Sequence, residues 1–368
     1  MATEASPSRG LRILLGAAGA VVALAGIKAA SSIVGPIFLA LTLVIAVQPL
    51  RGWLTRKRAP GWLVVAVPLL TVVLVLLALL GSLTIAVAEL TTTLPDYSAQ
   101  FDDLIDSVSA LLAQWGVSGQ QIQNALGDLD PANFIGVLQG FLSGLLSVSS
   151  AILLILVVLF TMSLDAAALG RSIGALAPGR PELVNALSRF VRNTCRYLVV
   201  SSIFGLIVAA LDAGALWVLG VPLPLLWGLL AFVTNYIPNV GFVIGLVPPA
   251  LLALLDGGVR TMLLVIVAYS VINFVLQSLV QPKYLGQAVG LSATLTMISL
   301  LLWGWVLGPL GAVLAIPLSS LVKALLVDSD PANRWIAAIM GDAEAADTLR
   351  TVPTSAPPPE KGRPAPAS

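Results

Sequence analysis

The chain has 368 residues, of which 58% are apolar and only 10% are charged. Soluble domains carry about a quarter charged residues, so the composition excludes a soluble enzyme, a nucleic-acid-binding protein and a disulfide scaffold. The one cysteine, Cys195, can form no internal disulfide, and the absence of histidine removes the commonest general base and metal ligand. We therefore predict a membrane protein without enzymatic activity, cofactor, metal site or nucleic-acid partner, with the lipid bilayer as its surroundings.

Apolar runs long enough to cross a membrane recur along the whole chain. A helix needs about 20 apolar residues to cross the hydrocarbon core. We predict an all-α polytopic membrane protein with six to eight membrane-spanning segments. The first run is read as a span rather than a cleaved signal peptide, because it is one of many similar runs. The runs are residues 12–30, 32–50, 61–88, 145–164, 198–220, 223–255, 259–281 and 288–323.

The basic residues indicate the orientation. Arg9 and Arg12 precede the first run, a second basic group lies within 51–58, and no further lysine or arginine occurs before Arg171. Short basic segments stay in the cytoplasm. We therefore predict that both termini and the loops 51–60 and 165–197 are cytoplasmic, and that the acidic stretch between the third and fourth spans faces outward.

These patterns divide the chain into five regions. In the second, an apolar face at three- and four-residue spacing predicts an amphipathic helix, which covers the outer membrane surface or contacts another subunit. The proline-rich end of the chain has the composition of a disordered tail. The regions are 1–90, the first three spans; 91–144, the extracytoplasmic amphipathic region; 145–197, the fourth span and a basic cytoplasmic loop; 198–326, the transport core; and 327–368, a cytoplasmic helix and the tail.

Two apolar stretches in the core are interrupted by glycine and proline. Residues 223–255 are broken at 235–241, and residues 288–323 are broken at 303–311. Each broken stretch follows one continuous span, which indicates an internal repeat. Backbone groups freed by such breaks are tolerated only when they are buried in protein or line a wet cavity. Paired breaks are typical of a transporter's substrate site, although kinked spans without a ligand remain an alternative.

The breaks leave two topologies open. If each broken stretch crosses the membrane once, there are eight spans, with Arg260 inside and Lys283 outside. If each is a re-entrant hairpin, there are six spans and the two units are inverted, so that Arg260 lies outside and Lys283 inside. We favour the hairpins.

Polar residues in and near the breaks are the predicted substrate contacts. Tyr269, Asn273, Gln277 and Gln281 lie four residues apart and form one stripe on the span 259–281. Such a stripe faces the bundle interior or a water path, either as interhelical hydrogen bonds or as substrate contacts. The full predicted set is Asn235, Pro238, Asn239, Gly241, Asn273, Gln277, Gln281, Ser292, Thr294, Gly308 and Gly311.

Asp212 is the one acidic residue deep within a predicted span. An intramembrane carboxylate is by default a functional hypothesis, here a relay for protons or sodium. The alternative is a residue at the outer membrane edge, since Gly220 follows soon after.

The motifs of the second half resemble those of the autoinducer-2 exporter family, also described as PerM-like permeases. The resemblance is specific over about 185–325. It rests on Ile237-Pro238-Asn239-Val240-Gly241, Gly245, Pro248, Asn273, Gln281-Pro282-Lys283-Tyr284-Leu285-Gly286, Gly290-Leu291-Ser292, Gly308-Pro309-Leu310-Gly311-Ala312 and Pro317.

This resemblance implies a homo-oligomeric transporter of the bacterial inner membrane. Some members are assigned export of autoinducer-2 and others sodium/proton antiport. Members often carry an acid or amide just before the position of Pro282, where this chain has the uncharged Gln277 and Gln281. Asp212 is therefore the main ionisable residue that could bind a coupling ion. The resemblance also implies that seven glycine and proline residues shape the two broken segments and are not themselves shown to be ligand contacts. They are Pro238, Gly241, Pro248, Pro282, Gly308, Gly311 and Pro317.

The predicted function is secondary transport of a small polar solute, autoinducer-2-like by resemblance and exported, by alternating access around the two broken segments. The chain has no Walker A sequence, so it encodes no ATP motor. The alternative is a sodium/proton antiporter in which Asp212 binds the cation.

Overall fold

The computed structural model describes residues 9–93, 99–100, 154–166, 168–176, 178–238, 240–285 and 291–330. Most of the predicted region 91–144 and nearly all of the predicted tail lie outside these ranges. The described chain is helical between short turns. Its helices are α1 Arg9–Ala29, α2 Ser31–Ala46, α3 Gln48–Arg56, α4 Gly61–Thr93, α5 Leu154–Ala166, α6 Ala168–Ala175, α7 Pro181–Val218, α8 Pro224–Thr234, α9 Val240–Asn273, α10 Gln281–Leu285, α11 Ala293–Leu307, α12 Pro309–Val313 and α13 Ala315–Lys323.

Two helices continue as π-helices, α9 through Phe274–Val280 and α13 through Ala324–Asp328. Gly258, with φ 72° and ψ −174°, divides α9 into two limbs. The first limb, residues 240–257, is called α9a, and the second, residues 259–280 including the π-helix, is called α9b. The kink sits at glycine because this backbone conformation is unfavourable for residues with a Cβ.

Four described helical segments are long and apolar enough to cross a membrane, Ser31–Arg56, Gly61–Ser82, Pro181–Val218 and Val240–Val280. A fifth is formed if α5 and α6, which meet at a bend of 51°, make one span. The predicted all-α polytopic class is thereby confirmed. Shorter apolar helices are Leu14–Ala29, Pro224–Thr234 and Ala293–Leu307.

The first broken stretch folds back on itself. As one straight helix it would separate Leu226 from Ala253 by about 40 Å, yet both belong to one buried cluster with Leu216 and Val265. α8 and α9a are therefore antiparallel arms, called hairpin 1 (residues 224–257). At its tip the Gly241 Cα touches the Thr234 carbonyl so closely that a Cβ would collide with it.

The second broken stretch also folds back. Gly308 has φ 69° and ψ −152° and is followed by Pro309, so that α11 ends there and the chain reverses into α12 and α13. The indole N–H of Trp303 donates to the Ser319 hydroxyl on the returning arm at 2.9 Å. This second fold-back is called hairpin 2 (residues 293–323).

The tips of the two hairpins pack together. Ile237 and Val240 of hairpin 1 pack against the hairpin 2 cluster that contains Trp303 and Leu314. Tyr236 packs with Ile316 and with Tyr197 of α7. Tyr236 of hairpin 1 and Ile316 of hairpin 2 therefore meet next to Tyr197 of α7.

Candidate functional site

A small cavity lies beside the tip of hairpin 1. Its volume open to the centre of a water molecule is about 10 Å³, which is close to the room that one water needs. α7, hairpin 1 and α9b line it together. The lining residues are Val208, Asp212, Ala231, Thr234, Asn235, Gly241, Phe242, Gly245, Tyr269, Asn273 and Gln277.

Small residues bring α7 and α8 into close contact next to the cavity. A Cβ on Gly228 would lie 2.8 Å from the Ala209 carbonyl and 2.9 Å from the Ala213 Cβ. On the other arm, a Cβ on Gly245 would lie 3.1 Å from the Thr234 hydroxyl. Such small-residue contacts are how helices approach closely in membranes.

Asp212 supplies the charge of the site. Its side chain is 0% exposed, and among the described residues neither carboxylate oxygen has a hydrogen-bond partner. A buried carboxyl group without such a partner is costly, so the burial of Asp212 does not add to the stability of the fold.

Tyr269 faces the same space from α9b. It is 1% exposed, and its hydroxyl is a second buried polar group for which the described residues provide no partner. The ring lies near enough to Asp212 for the two groups to interact electrostatically. Where two polar groups meet across a gap, a bridging water or ion is the usual partner.

The amides of the cavity form a continuous hydrogen-bonded chain. The Asn235 amide donates to the Ser201 carbonyl at 3.0 Å, and the Gln277 amide donates to both the Asn235 and the Asn273 side-chain oxygens, at 3.1 and 2.6 Å. The Asn273 amide donates to the Tyr269 carbonyl at 2.9 Å. Asn273 also lies beside the Asp212 carboxyl. The chain therefore connects the hairpin tip, through α9b, to the acidic residue.

The two ends of the cavity have chemically different neighbours. Near Leu216 of α7 lies an apolar cluster that includes Trp227. The Trp227 indole N–H donates to the Pro222 carbonyl at 3.0 Å. Toward the start of α7 lie hydroxyl groups, with the Ser202 and Tyr236 oxygens 2.6 Å apart. Beyond them the Arg196 guanidinium donates twice to the Tyr284 carbonyl, at 2.8 and 3.0 Å. One end is thus apolar and the other is polar.

The structure brings some of the predicted site residues together and separates others. Asp212, Asn235, Gly241, Asn273 and Gln277 line the cavity. Ser292 instead caps α11 by accepting from the Leu295 N–H at 3.3 Å, and Asn239 lies outside the described residues. The predicted residues that do not line the cavity are Pro238, Gln281, Thr294, Gly308 and Gly311.

Three features of the site were missed. They are the Thr234 and Gly245 contact, the Ser202–Tyr236 hydroxyl pair, and the π-helix Phe274–Val280 that carries Gln277. The contact between Thr234 and Gly245 could have been predicted, because Gly241 and Gly245 are four residues apart and so lie on one helix face. π-helices frequently occur at functional sites, but no residue pattern in 274–280 distinguishes one from an ordinary helix.

The chain is similar to known bacterial transport proteins over most of its length. Residues 18–329 match the sequence profile described as AI-2E family transporter. The AI-2 transport protein TqsA of Escherichia coli K12 is 31% identical over 90% of this chain and 96% of its own length. A candidate transport protein of Haemophilus influenzae is 32% identical over 90% of this chain and 97% of its own. The resemblance read from the second half is thereby confirmed.

Proposed function

Because the chain belongs to the AI-2E family of transporters, we propose that it exports a small polar organic molecule, chemically similar to autoinducer-2, as a secondary transporter. The membership makes it a multi-pass membrane protein and confirms that it is not an enzyme. The observation that carries the proposal is the amide-lined cavity, which lies inside an otherwise apolar bundle. The name of the Escherichia coli relative supports the choice of solute.

The proposed topology has six spans and two re-entrant hairpins. Arg196 belongs to the basic group assigned to the cytoplasm, and it holds the Tyr284 carbonyl, which favours a cytoplasmic position for the neighbouring Lys283. α9b then carries the chain inward from Arg260 on the outer side. Hairpin 1 enters from outside and hairpin 2 from inside, and both termini are cytoplasmic. The proposed setting is the bacterial inner membrane, with several copies of the chain assembled.

Transport in this scheme requires hairpin 1 to move. A cavity of about 10 Å³ holds one water, whereas sites for organic ligands typically measure about 300–1,000 Å³. The described conformation is therefore closed to the solute. Opening separates the tip from α7 and α9b, and the contacts that must break are the bonds of Asn235 to Ser201 and Gln277. Hydroxyl groups of the solute then take the place of those partners.

The direct test is efflux of autoinducer-2 from proteoliposomes that contain the purified chain. We expect efflux above that of protein-free liposomes, and a loss of about tenfold or more in Asn235→Ala, since each lost polar contact is worth about 1 kcal/mol or more. Asp256→Asn, a change on the exposed rim of hairpin 1, is the control and keeps the wild-type rate. Equal efflux from wild type and empty liposomes would contradict the proposal.

Labelling tests the topology separately. In a Cys195→Ser background, cysteines are placed at Arg260 and Lys283 and treated with a membrane-impermeant maleimide on intact cells. The hairpin arrangement predicts a reaction at position 260 and none at 283. Reaction at 283 without reaction at 260 would instead favour two broken stretches that each cross the membrane once.

A second candidate function is sodium/proton antiport with Asp212 as the cation-binding group. The observation that favours it is the complete burial of an acidic side chain without a partner in the described structure. Sodium-driven proton flux in vesicles, measured for wild type and Asp212→Asn, separates the two. Flux that is lost in the variant supports the antiporter, whereas organic efflux without any ion exchange leaves the first function alone.

A further inference from the structure

A layer of hydroxyl groups adjoins the amide chain on the side where α7 begins. Its members, called the hydroxyl layer, are the side chains of Tyr197, Ser201, Ser202 and Tyr236. We propose that the hydroxyl layer is the entrance for the solute from the cytoplasm, and that Tyr236 selects solutes that carry hydroxyl groups. The inference rests on the proposed function and topology, because it assigns the contacts that the solute makes before it reaches the amides.

Tyr236 joins the hairpin 1 tip to the hydroxyl groups of α7. Its hydroxyl oxygen lies 2.6 Å from that of Ser202, and its carbonyl accepts from the Tyr197 hydroxyl at 3.3 Å. The Ser202 hydroxyl donates its one hydrogen to the Leu198 carbonyl at 2.7 Å. Tyr236 is therefore the donor in its bond with Ser202. The Tyr236 ring stands edge-on to Phe232, with the ring centres 5.7 Å apart, so that the ring is held by packing and the hydroxyl by one bond.

The hydroxyl layer lies between the cytoplasmic end of α7 and the cavity. Ser202 lies ten residues before Asp212, which lines the cavity, a distance of about 15 Å along the helix. It lies six residues after Arg196, about 9 Å along the helix, and Arg196 belongs to the basic group assigned to the cytoplasm. The Tyr236 side chain is half-buried, whereas Asp212 is fully buried. A solute that enters from the cytoplasm therefore meets the hydroxyl layer before the amides.

The opposite side of the cavity offers a polar solute less. There, Leu216 and Trp227 belong to a buried apolar cluster that joins both arms of hairpin 1 to α7 and α9b. A polar solute that moves into apolar surroundings gives up its hydrogen bonds to water and gains none. A hydroxyl group both donates and accepts, so a solute hydroxyl can replace either partner in the bond between Tyr236 and Ser202. A hydroxylated solute therefore loses fewer hydrogen bonds when it enters through the hydroxyl layer.

One further hydroxyl group continues the layer toward the start of α7. Thr194 is 3% exposed, and its hydroxyl has no hydrogen-bond partner among the described residues. It precedes Tyr197 by three residues and Ser201 by seven, so the three lie on one face of α7. A buried hydroxyl without a partner is costly, and a hydroxyl group of a passing solute would supply that partner. This favours a binding role, because hydrogen bonding between helices alone does not explain an unpaired hydroxyl.

Access of a thiol reagent to the cavity from each side of the membrane tests the entrance without any solute. In a Cys195→Ser background, Thr234→Cys places a thiol in the cavity. A small membrane-impermeant reagent reaches the cytoplasmic side in inverted vesicles and the outer side in intact cells. Tyr236→Phe keeps the ring and removes the donor. We expect it to speed modification in inverted vesicles by about fivefold, the effect of one lost hydrogen bond, and to leave the rate in intact cells unraised.

Two further variants make the result specific. Tyr284→Phe is the matched control and keeps the background rates, because the Tyr284 side chain is 58% exposed and the carbonyl that Arg196 binds is retained. Ser202→Ala removes the other partner of the bond, so it should act as Tyr236→Phe does, and the double variant should add no further increase. An equal increase on both sides, an increase from outside alone, or no increase in either variant would overturn the entrance.

Selection by Tyr236 is tested by protection of the same thiol in inverted vesicles. Autoinducer-2 and, as a second probe, the polyol glycerol should each slow modification at position 234. Tyr236→Phe should raise the concentration for half-maximal protection by about threefold or more, since the solute loses one hydroxyl partner. Protection by neither probe, or equal protection of both proteins, would overturn the selective role. Autoinducer-2 efflux is read independently, so protection by glycerol alone together with absent efflux would reject the proposed solute and keep the entrance.

Discussion

Hairpins 1 and 2 have the same design but different surroundings. Near each reversal lies a glycine on which a Cβ would collide with a carbonyl of the first arm, Gly241 with that of Thr234 and Gly311 with that of Trp303. The tip of hairpin 1 lies in a chain of amides next to a buried acid. The tip of hairpin 2 lies in a cluster of leucine, valine and tryptophan.

The comparison shows that the same glycine–proline break can lie among polar or among apolar side chains. Freed backbone groups in a membrane can be buried in protein or can face a wet cavity. Hairpin 2 uses the first solution, since its tip is packed by apolar side chains and its Trp303 is paired with Ser319. Hairpin 1 adds the side-chain amides that a polar solute needs.

The largest predicted effect is common to both hairpins. Gly241→Ala and Gly311→Ala each place a methyl group against backbone, which cannot yield as a flexible side chain does. We expect each to destabilise the protein by about 3 kcal/mol, seen as a loss of folded protein in detergent. Gly304→Ala is the matched control, because its Cβ would meet only the Ala312 Cβ at 3.9 Å. Wild-type stability in both tip variants would show that the reversals are looser than described.

A medium effect separates the hairpins. Ser319→Ala removes the partner of the Trp303 indole in hairpin 2 and should cost about 1 kcal/mol in stability, as polar pairs in membrane bundles do. It should leave autoinducer-2 efflux per folded protein unchanged, whereas Asn235→Ala in hairpin 1 lowers it. If both variants lowered efflux equally, hairpin 2 would share the site.

The smallest effect concerns the link between the two units. Arg196→Ala removes two hydrogen bonds to the Tyr284 carbonyl. Because the arginine is exposed and exposed charged contacts contribute little, the unfolding temperature should fall less than in Ser319→Ala. Arg196→Lys, which keeps the charge but not the paired donors, should behave like Arg196→Ala. A larger loss than in Ser319→Ala would show that this contact holds the units together.

Much of the fold was predictable because lipid imposes strong rules on sequence. The lengths of the apolar runs and the glycine–proline breaks at 235–241 and 303–311 indicate where helices run and where they stop. Polar residues at four-residue spacing identified one wall of the cavity, Tyr269, Asn273 and Gln277. Run length and residue spacing are local properties of the chain, so they can be read from the sequence.

The remainder depends on contacts between distant segments. The tip of hairpin 2, with Gly308 and Gly311, contains glycine and proline as the tip of hairpin 1 does. The sequence therefore could not show which tip has apolar neighbours and which has polar ones. The sequence places Asp212 within a span but does not show which residues surround it. Those neighbours depend on contacts between helices, such as the close approach of Gly228 to Ala209. The predicted region boundaries and the predicted solute contacts stay predictions.

Access of water to the tip of hairpin 1 is the most direct measurement. In a Cys195→Ser background, Thr234→Cys places a thiol in the cavity and Ser319→Cys places one in hairpin 2. During transport in proteoliposomes, we expect a small water-soluble thiol reagent to modify position 234, autoinducer-2 to slow that reaction, and position 319 to stay unmodified. A reaction that the solute slows at 319 and not at 234 would contradict the assignment of the solute path to hairpin 1.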